Sequence, residues 1–321
     1  MPKISVCIPV YGVEQYIERC AISLFEQTLD DIEFIFIDDC TPDRSIERLK
    51  CVIEKYRLRL AEMNDVVRIE RMPTNSGLAA VRRYVMQLVT GDYIIHCDSD
   101  DWVDKDLYRT MYEEAVKADA DMVVSDYVVT DGQGHNQRRE GCSSTERDTF
   151  IVNMLFQRDS WSLWNKLIKK TVYYKANVAF PTGAMGEDLT TVLQLVWYCG
   201  KINYVNRSCY YYFQNPQSIT RKKSAQEAKK NYCQLTDNAA ILQKFYKDKK
   251  VSKDIQAGLD WIWIRIGDVL SPYLYDKEFF QLWREHYKAY LKKIVCNKHI
   301  SFAYKIKHII LRSGLYSRFK R

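Results

Sequence analysis

The stretch that decides the fold runs Gly91-Asp92-Tyr93-Ile94-Ile95-His96-Cys97-Asp98-Ser99-Asp100-Asp101-Trp102. A short apolar, β-rich run that follows a helical pattern reads as a buried strand of an α/β sheet, and this one ends in three carboxylates. In open α/β folds ligands bind beyond the carboxyl ends of strands, so Asp98, Asp100 and Asp101 are expected to project together into that crevice. Crowded carboxylates raise one another's pKa unless something positive shares the site, and a hard divalent cation with oxygen ligands is the usual solution. Mg2+ or Mn2+ held by one or two carboxylates takes its remaining ligands from water and substrate phosphates. The expectation is a metal-bridged diphosphate site. Taken alone, the same acids also suit a solvated turn or a helix N-cap.

Working outward, residues 3–10 form an apolar strand closed by Pro9-Val10-Tyr11-Gly12. Residues 14–27 carry Tyr16, Ile17, Cys20, Ala21, Leu24 and Phe25 at helical spacing. A second strand over 32–37 ends, like the first stretch, in acids, Asp38 and Asp39, and a helix to about residue 63 follows. A third strand over 66–72, a turn at 74–77 and a helix over 78–89 bearing Arg82 lead to the organising strand. Beyond it the pattern gives a helix over 107–117, a strand over 121–130 and a short helix over 150–156. A further helix opens at Glu187-Asp188, and a tyrosine-rich strand spans 202–213. Strands alternating with helices of about a dozen residues demand right-handed crossovers, hence an α/β class with a Rossmann-like, mainly parallel sheet covered by helices on both faces. The G-x-G-x-x-G and G-x-x-x-x-G-K-[ST] loops are both absent from the sequence. That disfavours a dinucleotide site or a P-loop, and leaves carboxylate-held metal to do the work of a phosphate-binding glycine loop.

The chain of 321 residues has ten scattered cysteines and no C-x-x-C pair, which points to reduced thiols in the cytoplasm rather than disulfides or zinc. Neither a signal peptide nor a transmembrane run is expected. The net charge of +7 conceals an asymmetry: residues 221–321 hold 23 Lys and Arg against 9 Asp and Glu, and residues 1–220 hold 25 against 32. After Glu285 no acid remains. Over residues 301–312, Phe302, Ile306, Ile309 and Ile310 share a stripe flanked by Lys305, Lys307, His308 and Arg312, the pattern of an interfacial helix or of one packed on its own domain. Association with an anionic membrane surface, on the inner face of the cell membrane, is the expectation drawn from this region. The expected division is a catalytic domain over 1–220, with a nucleotide half to 110 and an acceptor half after it, then a basic helical region over 221–321.

Four segments, in this order and spacing, resemble the N-terminal half of family 2 glycosyltransferases with the GT-A fold. They are Ile4-Ser5-Val6-Cys7-Ile8-Pro9-Val10-Tyr11, Ile37-Asp38-Asp39-Cys40-Thr41-Pro42-Asp43, Asn75-Ser76-Gly77-Leu78-Ala79-Ala80-Val81-Arg82, and Gly91-Asp92-Tyr93 leading to Asp98-Ser99-Asp100-Asp101. Gly12 stands where the family usually has Asn, and Cys40-Thr41 where it has Gly-Ser; both changes keep turn character. The resemblance implies an inverting transfer of a sugar from a UDP-linked donor to a saccharide or lipid-linked saccharide in cell-surface polysaccharide synthesis. It implies that Pro9, Val10 and Tyr11 lie against the nucleotide, Asp39 takes the imide N–H of the base, and Arg82 lies near the diphosphate. Asp98 and Asp100 match the D-x-D metal ligands, with Ser99 and Asp101 at the donor. Trp161-Ser162-Leu163-Trp164-Asn165-Lys166-Leu167 resembles a segment of many members, its tryptophans suiting core packing or sugar stacking. Glu187-Asp188 looks like the family's Glu-Asp motif, with Asp188 as catalytic base, although acids at a helix start are also favoured as caps.

Two rival readings come from the same residues. A metal-dependent phosphatase of the haloacid dehalogenase kind also places D-x-D at a strand end, but Trp102 stands where it requires Thr or Val. A non-catalytic module binding nucleic acid or an anionic surface through the basic tail lacks any nucleic-acid motif, so no nucleic-acid partner is expected.

Overall fold

The computed structural model describes residues 1–215 and 224–312. Four strands, β1 (Ile4–Val10), β2 (Ile32–Asp38), β3 (Val66–Arg71) and β4 (Tyr93–His96), alternate with α1 (Ile17–Phe25), α2 (Ser45–Glu62) and α3 (Leu78–Val85). Nearly every residue of β1, β2 and β4 is buried, the consequence of helices on both faces of the sheet. These strands are parallel and stand in the order β3-β2-β1-β4. The chain steps outward from β1 to β3 and then returns to the other side of β1. This reversal opens a crevice between the loops after β1 and β4, the place where doubly wound sheets take ligands.

The second half continues the sheet in mixed fashion. After β5 (Trp102–Val103) and α4 (Leu107–Ala118) come β6 (Met122–Thr130) and β7 (Asn136–Arg139), which pair as a hairpin across the turn that holds Gly132 and Gly134. Then follow α5 (Arg147–Leu155), β8 (Lys166–Lys169), α6 (Lys170–Ala176), α7 (Glu187–Trp197) and β9 (Ile202–Phe213). β8 lies antiparallel between β4 and β6, β9 is parallel to β6 with a register shift after Ser125, and β9 pairs β5 at the far edge. The sheet is therefore parallel through β4 and mixed beyond it. β8 has four residues, too few for its period to show in the sequence.

From residue 224 to residue 312 the chain is mainly helical, with α8 (Ala225–Tyr246), α9 (Lys253–Ile266), a 3-10 segment (Gly267–Tyr273), α10 (Lys277–Cys296) and α11 (Phe302–Arg312). Side chains of Ser224, Ser252 and Asp276 accept backbone N–H groups at the starts of α8, α9 and α10. The expected boundary at residue 220 lies outside the described residues. Leu242, Tyr246, Ile255 and Leu259 of α8 and α9 join the same apolar core as Ile35, Ile94 and Val192, so the sheet and these helices share one interior. A separate core around Trp283 holds α10 and α11. All ten cysteines are free, six of them buried. Among the described residues no helix is long and apolar enough to cross a membrane.

Candidate active site

Three adjacent parallel strands, β2, β1 and β4, carry Pro9, Val10, Tyr11, Asp39 and the acids at 98–101 to the carboxyl end of the sheet, while Arg82 and Asp188 come from α3 and α7. Tyr11 follows β1 and is half exposed, whereas Val10 is buried and its carbonyl accepts the N–H of Asp39. Pro9 sits in β1 beside Arg82 and His96. Asp39 is buried, and its two oxygens accept the backbone N–H groups of Ser76 (2.7 Å) and Gly77 (2.8 Å), which locks the turn that starts α3. Gly77 takes φ +80°, a conformation a side chain would strain, so the turn needs glycine there.

Arg82, expected near a diphosphate, is 1% exposed and forms the hub of the site. Its guanidinium pairs with Glu187 and Asp188 at the start of α7, and reaches Asp98 after β4 at 3.3 Å. One cation thus joins three carboxylates, Asp98 from 16 residues away in sequence and Glu187 and Asp188 from more than a hundred. Glu187 is fully buried, and burial pushes its carboxyl up to about 7 against the opposing pull of Arg82. Removing the guanidinium would leave that carboxyl without its compensating charge.

The turn after β4 separates its acids. Asp98 keeps a side chain that is 26% exposed toward the crevice. Asp100 is largely enclosed; burial, and then the neighbouring Asp98, raise its carboxyl above the usual range. Its Oδ2 accepts from Asn215 at 2.9 Å, and its carbonyl accepts from Arg19 at 2.8 Å. Asp101 points inward: Oδ2 accepts from the Tyr210 hydroxyl and Oδ1 from the Phe213 N–H, both at 2.7 Å. Burial, then Asp100 and Asp98, raise the Asp101 carboxyl well above its ordinary value. Ser99 is buried between them. The structure therefore brings Asp98, Arg82 and Asp188 together, sets Asp100 beside Asp98, and seats Asp101 against β9.

The sequence reading did not single out Tyr210, Asn215 or Arg19. Tyr210 is fully buried; its hydroxyl accepts the Asp98 N–H at 3.0 Å while donating to Asp101, and its ring stacks on Trp164 at 4.3 Å. Trp164 is buried in this aromatic stack, where Tyr212 also lies parallel to it. The signal was present in the Tyr210-Tyr211-Tyr212 run, because alternation along β9 sends Tyr210 to the face opposite Tyr211. Lys166, from the same segment as Trp164, is also fully buried and donates to the carbonyls of Ser160 and Ser162 and to the Asn165 side chain, each at 2.8 Å. Burial lowers its ammonium to about 7.

The sequence matches the model of Glycosyl transferase family 2 over residues 5–188. The chain belongs to this family. Among curated proteins, glycosyltransferase GlyA of Streptococcus pneumoniae is 29% identical over 231 residues, covering 68% of this chain and 32% of that protein. Glycosyltransferase GlyG of the same organism is 27% identical over 294 residues, covering 87% of this chain and 90% of its own length. Staphylococcus aureus TarS, residues 1–349 in complex with UDP-GlcNAc, superposes with a TM-score of 0.58 at 18% identity, covering 84% of this chain and 80% of that one. Mannosyltransferase PcManGT from Pyrobaculum calidifontis, in complex with GDP-Man and Mn2+, gives 0.56 at 12% identity, covering 100% of this chain and 88% of that one. This family 2 chain has the GT-A fold that its four motifs imply, followed by a helical C-terminal region.

Proposed function

We propose that this family 2 chain transfers a hexose from a UDP-sugar to a hydroxyl of a saccharide or lipid-linked saccharide, with inversion, in cell-surface polysaccharide synthesis. The observation that carries the reading is the convergence of Asp98 and Asp188 on buried Arg82 at the switch point of the sheet. TarS and PcManGT, which share the fold, have solved structures in complex with UDP-GlcNAc and with GDP-Man respectively. The first of these supports uridine as the base.

Among the described residues no group of three or more His, Cys, Asp or Glu could hold a metal by itself. Asp98 and Asp100 instead offer a pair of carboxylates. That donor set fits Mn2+ or Mg2+, hard ions that keep waters and accept phosphate oxygens from the substrate. Bound there, the ion would offset the negative charge that grows on the departing diphosphate.

The protein's own groups account for the other parts of the reaction. Asp188 takes the proton of the acceptor hydroxyl as that oxygen attacks the anomeric carbon. The bond from that carbon to the diphosphate oxygen breaks on the opposite side, its electron pair leaves with UDP, and the configuration inverts. Arg82 holds Asp188 toward the crevice and keeps a positive charge against it. Each Asp39 oxygen has a second lone-pair direction beyond its bond to the 76–77 turn, which leaves capacity for the imide N–H of uracil. Pro9, Val10 and Tyr11 form the wall beside that base. Asp101 and Ser99 act by fixing the turn that carries Asp98 and Asp100. The C-terminal region meets an anionic membrane, where the acceptor would be lipid-linked.

A panel of UDP- and GDP-sugars, scored for hydrolysis with and without Mn2+, tests the donor and the metal together. Metal-stimulated turnover confined to UDP-sugars is expected. Preference for a GDP-sugar would overturn the uridine assignment, and rates unchanged by chelation would overturn the metal.

A further inference from the structure

The Asp100 carboxylate is reached from an element that the four motifs do not include. Asn215, two residues beyond β9, is 8% exposed and donates its side-chain N–H to Asp100 Oδ2 at 2.9 Å. The Tyr16 hydroxyl lies 3.5 Å from the Asn215 carbonyl oxygen, on the far side of the amide. Below the same residue, Arg19 of α1 donates to the Asp100 carbonyl at 2.8 Å, and its guanidinium lies 3.6 Å over the ring of Trp102 and 4.8 Å from that of Phe213. Asp101, next in the chain, is fixed by Tyr210 and Phe213 from β9. The backbone of Asp100 is thus held by α1 and its carboxylate by the end of β9.

We infer that Asn215 is a positioning residue for Asp100, with Arg19 as its backbone counterpart, and that together they preset one carboxylate oxygen so that the other faces the crevice. The inference rests on the proposed metal and diphosphate site and deepens it. An unrestrained aspartate rotates about two side-chain bonds, and ordering it costs free energy at the moment a ligand binds. A neutral amide donor removes that freedom without adding a charge that competes with a cation for the carboxylate. A carboxylate ligand loses about 10- to 100-fold in metal affinity when the group that orients it is removed. Arg19 could not take over this role. Its hydrogen bond goes to the carbonyl, and its stack between Trp102 and Phe213 holds it there.

The test is calorimetric titration of UDP into wild type, Asn215→Ala and Asp100→Ala, each across a Mn2+ series and in chelator, with thermal unfolding alongside. For Asn215→Ala the expected result is a Mn2+ requirement shifted upward about tenfold or more, with metal-free UDP affinity and the unfolding midpoint close to wild type. A purely structural role would lower the midpoint and weaken UDP binding equally with and without metal, and that outcome overturns the inference. A wild-type Mn2+ dependence in Asn215→Ala, when Asp100→Ala has lost it, also overturns the inference and leaves the metal site standing. Retention of the Mn2+ dependence in Asp100→Ala overturns the metal site, and the inference with it. Should Asn215→Ala fold poorly, Asn215→Ser is read by the same criteria, since its hydroxyl is too short to span to Asp100.

Discussion

Asp188 and Arg82 make opposite demands on a mutagenesis experiment. Asp188→Asn keeps the shape of the side chain and removes the proposed base, so transfer should fall by about 10^2- to 10^4-fold while UDP affinity stays close to that of wild type. Single-turnover transfer and calorimetry check both halves, and near wild-type transfer would remove Asp188 from the mechanism. Arg82→Met strips the guanidinium that, among the described residues, pairs with Glu187, Asp188 and Asp98, and breaking such a buried pair costs about 3–5 kcal/mol. Chemical unfolding should show the loss, and an unchanged midpoint would mean that these carboxylates are compensated elsewhere. Glu187 adds a pH signature. Its folded value of about 7 lies above the ordinary 4.5, so the folded state binds the proton more tightly than the unfolded chain does. Its contribution is therefore fully present below about pH 4.5 and is lost as pH rises toward 7. The stability difference between wild type and Glu187→Gln should drift against wild type across that window, and a flat difference would show that Arg82 holds Glu187 ionised throughout. Asp188 was legible as a residue type at a helix start. That Arg82 would be buried among three acids was not, because two of its partners lie more than a hundred residues away in sequence and leave no local trace beside it.

At the scale of elements, β9 does more than close the sheet. The Tyr210 hydroxyl accepts from Asp98 N–H and donates to Asp101, so Tyr210→Phe leaves two buried partners unsatisfied. A loss of about 1–3 kcal/mol is expected by chemical unfolding, together with weaker Mn2+-dependent UDP binding; full stability in the variant would mean that water or another group reaches these partners. The start of β4 is equally constrained. Glu33 of β2 accepts the Thr90 N–H at 2.5 Å and the Gly91 N–H at 3.1 Å, and also the Ser5 hydroxyl. A Cβ on Gly91 would stand 2.7 Å from the backbone nitrogen of Ser5 and 2.8 Å from the carbonyl carbon of Ile4. Gly91→Ala should therefore cost about 1–3 kcal/mol as an overpacking substitution, visible as a lowered denaturation midpoint. β1, β2 and β3 were readable because each is a run of six or seven residues with its own apolar pattern, and β4, only four residues long, was readable because its apolar run ends in a cluster of acids. β8 escaped the same reading because its four residues gain their place from pairing with β4 and β6.

At the scale of the molecule, the C-terminal region joins the sheet domain through α8 and α9 and carries its own core further on. Trp283, Tyr287 and Ile294 of α10 build that core, while in α11 Tyr304 and His308 face it and the Tyr304 hydroxyl donates to Asp268 at 3.1 Å. The other side of α11 leaves Phe302 and Ile306 exposed; the side chains of Ile309 and Ile310 lie outside the described residues. A chain ending at residue 300 should therefore lose flotation with anionic vesicles and keep UDP affinity, whereas a cut after 285 would also empty the core of α10. Undiminished flotation of the shorter chain would overturn the membrane assignment. Charge asymmetry was open to reading without coordinates, because it needs only a count along the chain. So were the strand ends and their acids, since apolar period and turn residues are properties of neighbours in sequence. The order of strands put the crevice between β1 and β4, and the tertiary fold alone set Arg82 against Asp188 and Asn215 against Asp100, residues 115 apart in the last case. Such pairings depend on which strand lies beside which and in what register. Those choices are made by the burial of whole faces, a property of the folded chain rather than of any stretch of it.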